Sequence, residues 1–212
     1  MAIGIFGGTF DPVHIGHLRT ALELREYLGL DAMHLMPAGD PAHREAPRTA
    51  AAHRLAMVRL AVAGEAGLVA DDREIARGGA TYSIDTLVAM RRELGPAVPL
   101  CLCLGMDSLV TLDTWKRWRE LADHAHIVVA ARPGWSPPAH GPVAQWLAER
   151  RVDVPARLLA SPAGGVHVAA MTLLPVAATA LRASLAAGRS IRYLTPDPVV
   201  DYIHTHQLYQ RP

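Results

Sequence analysis

The opening apolar segment ends in Gly7-Gly8-Thr9-Phe10-Asp11-Pro12-Val13-His14-Ile15-Gly16-His17. Glycines at a strand end let the backbone approach an anion closely, and a helix starting just beyond turns its unpaired N–H groups to the same place. His14 and His17 are three residues apart, so they share a helix face wherever the first turn is formed. Gly16 between them omits a side chain expected to crowd a phosphate. The run is neither G-x-G-x-x-G nor a P-loop. The only lysine, Lys116, lies far along the chain, so phosphate chemistry here must use Arg, His and backbone N–H groups. A tight strand-to-helix turn carrying two surface histidines is the plain alternative; two imidazoles at this spacing beside three glycines favour phosphate binding.

Such a turn needs a sheet behind it, and the chain supplies one. Strand-like segments at Ala2–Phe6, His34–Met36, Pro99–Leu104, His126–Ala131 and Val166–Ala170 alternate with helical patterns. The helices are expected from the opening turn to about Leu28, over Ala51–Ala63, Tyr82–Leu94 and Thr179–Ala187, and from Pro196, with Thr195 as N-cap. This alternation implies an α/β fold: a doubly wound, Rossmann-like parallel sheet with helices on both faces and a small C-terminal helical portion over 178–212. Residues 1–212 read as one domain, with a loop-rich excursion over 133–165 where prolines and glycines break the periodicity.

The 212 residues are half apolar, 19% charged and carry a formal net charge of +1, which excludes a disordered chain and gives no sign of nucleic-acid or membrane-surface binding. The longest apolar stretch, Val166–Leu185, is interrupted by Pro175 and Arg182, so no membrane span is expected. No basic leader precedes the first strand, and no secretory signal is expected. Cys101 and Cys103 share a strand face about 7 Å apart, too far for a relaxed disulfide, and read as buried thiols of a reduced, cytoplasmic protein. Asp71-Asp72 reads as a solvated loop, Trp118 as ordinary packing, and the pairs His124/His126 and His204/His206 as poor metal partners.

The run from Gly7 to His17 resembles the nucleotidylyltransferases with a His-x-Gly-His signature, most closely the bacterial nicotinate-nucleotide adenylyltransferase family. Class I aminoacyl-tRNA synthetases share the tetrapeptide but are far longer and carry a lysine-rich second signature that one lysine cannot supply. The resemblance covers nearly the whole chain. Pro41-Ala42-His43-Arg44 is similar to the family's Pro-Pro-His-Lys/Arg loop, with Ala42 a departure. Thr81-Tyr82-Ser83 looks like its nicotinate-recognition turn, for which a Ser/Thr helix cap is the alternative. Gly105-Met106-Asp107-Ser108 is similar to its ribose-side segment, and a helix cap is again the competing use of Asp107. Val176-Ala177-Ala178-Thr179-Ala180-Leu181-Arg182 is similar to its second signature, with Ala177 where serine is usual. The tail from Leu194 to Tyr209 resembles the family's tail and is expected to be structural.

The resemblance implies adenylyl transfer from ATP to nicotinate mononucleotide, giving the deamido dinucleotide and pyrophosphate in NAD biosynthesis. It implies catalytic roles for His14, His17 and Arg182. ATP would be held by Gly7, Gly8, Thr9, Phe10, His14, His17, Gly105, Asp107, Thr179 and Arg182. Nicotinate mononucleotide would meet Thr9, Arg44, Thr81, Tyr82, Arg132 and the stacking indole of Trp115. Mg²⁺ would be carried by the ATP phosphates rather than by a protein metal site. Two other readings stay open: a different acceptor, nicotinamide mononucleotide or phosphopantetheine, or a non-catalytic nucleotide-binding module. A homo-oligomer is compatible with all three.

Overall fold

A computed structural model describes residues 1–41, 47–131, 136–172 and 174–210. Six parallel strands form the main sheet: β1 (Ile3–Gly8), β2 (Ala32–Pro37), β4 (Leu68–Ala70), β6 (Leu100–Gly105), β7 (His126–Ala131) and β8 (Val166–Ala170). Their order is β4-β2-β1-β6-β7-β8. Beside it, β3 (Asp40–Pro41) and β5 (Ala80–Thr81) make a two-stranded parallel ladder.

Alternation along the strands builds two cores. Cys101, Cys103, Val128 and Ala130 face one side, with buried residues of α1 (Ile15–Leu28), α2 (Ala51–Val62), α8 (Pro155–Leu158), α9 (Ala178–Ala186) and α10 (Asp197–Thr205). Ile3, Ile5, Leu102 and Val129 face the other, with α4 (Ser83–Leu94), α5 (Met106–Val110), α6 (Leu121–His124) and α7 (Pro142–Arg150). Helix α3 (Arg73–Arg77) contributes no buried residue. Strands buried on both faces explain the near-continuous apolar runs. The two cysteines are free and buried, and burial pushes the Cys101 thiol up to about 12. Among the described residues no helix is long and apolar enough to cross a membrane.

Connections run outward from the centre in opposite directions, so β1 and β6 lie together at the switch point where open α/β sheets bind ligands. Both strands end there in glycine, Gly8 and Gly105.

Several local expectations change. Gly7 and Gly8 complete β1 rather than forming a turn, and Pro37 pairs with Gly8 as the last residue of β2, where a missing N–H costs no ladder bond. Strand β4 is three residues long, too short for a periodic signal. The 133–165 excursion holds α7 and α8, and Val143, Trp146 and Leu147 are buried, with Trp146 edge-on to Trp118 at 5.5 Å. Proline at the start of each helix broke the pattern on paper but suits a first turn. Asp71 is not solvated. It is buried and accepts hydrogen bonds from the Arg73 N–H and guanidinium, and it pairs with His34 Nδ1 at 2.8 Å. Burial pushes its carboxyl up, but these partners outweigh that and hold it at about 2. Thr195 does not cap α10, whose N-cap is Pro196.

Because α7 plugs the second core, Trp146→Ala is expected to destabilise the fold by roughly 3–5 kcal/mol in urea unfolding. A loss below about 1 kcal/mol, the surface range, would mean that the segment is a dispensable loop.

Candidate active site

Local sterics set the opening turn. A Cβ on Gly8 would lie 2.9 Å from the Phe10 ring, which folds back over the strand end in a left-handed conformation, φ 49°. A Cβ on Gly7 would meet nothing, so this backbone is open to the cleft. His14 is the extended N-cap of α1, and His17, three residues on, accepts the His14 backbone N–H at its Nδ1, 3.3 Å away. The two rings stack with centroids 3.6 Å apart, and the Phe10 edge abuts His17 at 5.0 Å. Gly16 also serves the neighbouring ring. A Cβ there would come within 3.0 Å of His14 Nδ1, so the glycine makes room for the imidazole.

The turn is tied down from three directions. Arg54, 1% exposed, donates from Nη1 to the Thr9 carbonyl (2.8 Å), from Nη2 to Gly39 (3.0 Å) and from Nε to Thr49 (3.1 Å). Asp11, 4% exposed, accepts the Arg48 N–H at Oδ2 (2.8 Å) and the Tyr209 hydroxyl at Oδ1 (2.6 Å). The Thr195 hydroxyl donates to the Val13 carbonyl (2.9 Å), and the Ile15 N–H donates to the Leu194 carbonyl (2.9 Å). Sequence reasoning missed Arg54, Asp11 and these tail contacts. The one available signal was Arg54 itself, which occupies the apolar face of α2 with Met57 and Val58 at three- and four-residue spacing.

From the far end of the chain, α9 presents its N-terminus to the same place. Thr179 and Arg182 line one cavity of about 960 Å³ with Gly7, His14, His17 and Asp107. Arg182 Nη1 donates to the Asp11 carbonyl at 2.6 Å, which joins the two signatures directly. Ala177, the departure from the family pattern, is the N-cap of α9 in the extended conformation that a capping serine would adopt, and it supplies no hydroxyl.

A second cavity of about 530 Å³ adjoins the first and shares Gly7, Gly8, Thr9, Gly105, Asp107 and Ser108 with it. Its far wall carries Thr81, Tyr82, Trp115, Lys116 and Glu74. Thr81 is buried, and its hydroxyl donates to the Asp40 carbonyl at 3.0 Å, inside the two-stranded ladder. Neither Thr81 nor Ser83 caps α4; the N-cap is Tyr82, whose side chain does not cap the helix. Asp107 likewise falls in the first turn of α5 and not at its cap, which is Gly105. Lys116, remote in sequence, reaches this wall with its ammonium 4.3 Å from the Tyr82 ring centroid and 3.0 Å from Asp85. Glu74 gave no sequence signal; burial raises its pKa, against a hydrogen bond from the Thr86 hydroxyl. Arg44 and Arg132 lie outside the described residues. Among the described residues no group of three or more His, Cys, Asp or Glu is placed to hold a metal ion.

Residues 5–181 match the cytidylyltransferase-like family model, the class to which this switch-point cleft and its two facing signatures correspond. A relative from Pseudomonas syringae pv. tomato, named "Probable nicotinate-nucleotide adenylyltransferase", is 49% identical, with 99% of this chain and 94% of that protein covered. One of the same name from Cellvibrio japonicus is 47% identical over 98% of both chains. The chain belongs to the nicotinate-nucleotide adenylyltransferase family. Among solved structures, the Plasmodium falciparum nicotinic acid mononucleotide adenylyltransferase complexed with NaAD shares the fold, with a TM-score of 0.71 at 17% identity over 98% of this chain and 97% of that one.

His14 is 5% exposed, and its Nδ1 has no hydrogen-bond partner among the described residues. Burial lowers its pKa from 6.5 to about 4, so the imidazole is neutral at pH 7. Below pH 6.5 the unfolded chain binds the proton that the folded chain refuses, so stability is full above that pH and falls as pH drops toward 4. Between pH 7 and pH 5 this group alone is expected to remove about 2 kcal/mol. Urea unfolding at both pH values should show His14→Gln losing about 2 kcal/mol less than the wild type over that interval. Equal losses would exclude His14 as the titrating group.

Proposed function

We propose that this chain transfers the adenylyl group of ATP to the 5′-phosphate of nicotinate mononucleotide, forming nicotinate adenine dinucleotide and releasing pyrophosphate. The observation that carries the reading is the single cavity lined by His14 and His17 on one side and by Thr179 and Arg182 on the other. The second cavity meets it at Gly7–Thr9.

In this reading ATP occupies the larger cavity, with its polyphosphate between the two signatures and its ribose toward Asp107. The mononucleotide occupies the smaller one. Its pyridine ring stacks on Trp115, and its carboxylate meets the first-turn N–H groups of α4 near the Lys116 ammonium. The two phosphates then face each other where the cavities join. An oxygen of the acceptor phosphate attacks the α-phosphorus of ATP, and the bond to the bridging oxygen of pyrophosphate breaks. The attacking phosphate has a second pKa of about 6 and is already largely ionised at pH 7, so no general base is needed. What the protein supplies is in-line alignment and donors aimed at the charge that builds on the α-phosphate and leaving group. His14, neutral before the ligand arrives, serves as an N–H donor.

Mg²⁺ on the ATP phosphates would neutralise part of that charge. The residues present suit an ion held by the nucleotide, because the buried Asp11 carboxylate is committed to Arg48 and Tyr209. The two free, buried thiols suit a reducing compartment, and we place the reaction in the cytoplasm.

Pyrophosphate release with ATP, Mg²⁺ and each acceptor tests the assignment. Turnover is expected to be greatest with nicotinate mononucleotide, lower with the nicotinamide form and absent with phosphopantetheine. Release with none of the three would leave only a binding module. His17→Ala is expected to lower kcat about 10²–10³-fold while the protein stays folded by circular dichroism. Near wild-type turnover would remove His17 from the chemistry.

A further inference from the structure

Beyond α10 the chain makes two left-handed turns at residues that are not glycine, Gln207 (φ 51°) and Tyr209 (φ 63°). The Leu208 N–H closes onto the Ile203 carbonyl at 3.0 Å, which fixes the tail. The result is a hydrogen bond across almost the whole chain, from the Tyr209 hydroxyl to Asp11 Oδ1. Asp11 follows Phe10, itself left-handed at φ 49°. Strained backbone thus stands on both sides of one contact, and strain of this kind persists only where its surroundings over-determine it, most often at functional sites. Burial, then the Asp11 carboxylate, push the Tyr209 pKa up against opposing effects of Thr49 and Arg182, so the phenol remains a donor.

Asp11 has no carboxylate oxygen left without a partner. It acts through its backbone, whose carbonyl takes the Arg182 guanidinium and whose chain runs on to His14. We propose that Tyr209 is a positioning residue: through Asp11 the C-terminal tail latches the His14–His17 turn and Arg182 into the alignment that transfer requires. The kinetic part of this inference rests on the adenylyl-transfer reading.

Tyr209→Phe keeps the ring and removes the hydroxyl, with its bond to Asp11 and its contact with Thr49. It is expected to lower kcat roughly tenfold, as a small misplacement of reacting groups does, with KM for both substrates within about twofold of wild type. Tyr202→Phe is the control. It deletes a comparable hydroxyl contact on the adjoining helix, to His53 Nδ1 at 2.9 Å, away from the turn, and should leave kcat within about twofold. The ring proton resonances of His14 and His17 report the same event without turnover, because their 3.6 Å stacking produces ring-current shifts that should collapse in Tyr209→Phe and persist in Tyr202→Phe. Wild-type kcat in Tyr209→Phe, equal losses in the two variants, or unmoved histidine resonances would each overturn the latch. A wild type inactive with every acceptor would overturn the functional reading instead, and the histidine resonances would still decide the latch.

Discussion

A buried guanidinium holds the mouth of this cleft in shape. Thr9 follows β1, Gly39 lies between β2 and β3, Thr49 leads into α2, and Arg54 binds one carbonyl from each. A cation at 1% exposure is tolerable only when its donors are met. Here three carbonyls meet them and Asp11 lies close by as counter-charge. Charge-assisted hydrogen bonds of this kind contribute about 1.5–3 kcal/mol each, enough to fix loops that have no regular partners of their own. With Thr9 fixed, Asp11 can meet both Tyr209 and Arg182, and the first and last parts of the chain converge on one site.

That convergence explains how a near-neutral protein can grip a polyanion. In the larger cavity His14 is uncharged at rest, and two guanidiniums, Arg48 and Arg182, belong to residues tied to the opening turn through Asp11. His14 adds to that charge as phosphate arrives, because an approaching anion itself raises the affinity of the imidazole for a proton. Phosphoryl transfer needs little else, since the chemistry is displacement at a phosphorus whose partners have only to be aligned.

The features legible in the sequence were those carried by local pattern. Strands buried on both faces announce themselves as apolar runs, and two histidines three apart at the end of the first such run imply an anion site before any tertiary contact is known. The meeting of His14 with Arg182 rested on family resemblance, because nothing local to either segment says that they face each other. What stayed hidden is non-local by nature. Asp71 looks like a solvated acid until His34 arrives from β2, and Lys116 looks irrelevant until the turn before α6 carries it beside Tyr82. Helix α7 was obscured by the prolines and glycines that delimit it, since a nine-residue helix offers little periodicity between such breaks. The position of Gly16 was legible but its contact with the His14 ring was not, because which atom a missing Cβ would strike depends on a ring placed by the capping arrangement of His14.

The departure at Ala177 belongs to the same logic. A serine there would offer its hydroxyl to an amide of the first turn of α9 and withdraw that donor from the cavity. Alanine forgoes the cap, and the first turn, with Thr179 and Arg182, faces the cleft without it. Helix α4 also lacks a side-chain cap, its N-cap being Tyr82, and its first turn lies at the smaller cavity. Each such end costs the isolated helix some stability and in exchange presents partial positive charge where a phosphate or carboxylate can complete it. In a chain with one lysine, helix ends left for the ligand to cap do part of the work that a cluster of ammonium groups does elsewhere, and they do it with a direction that a mobile ammonium lacks.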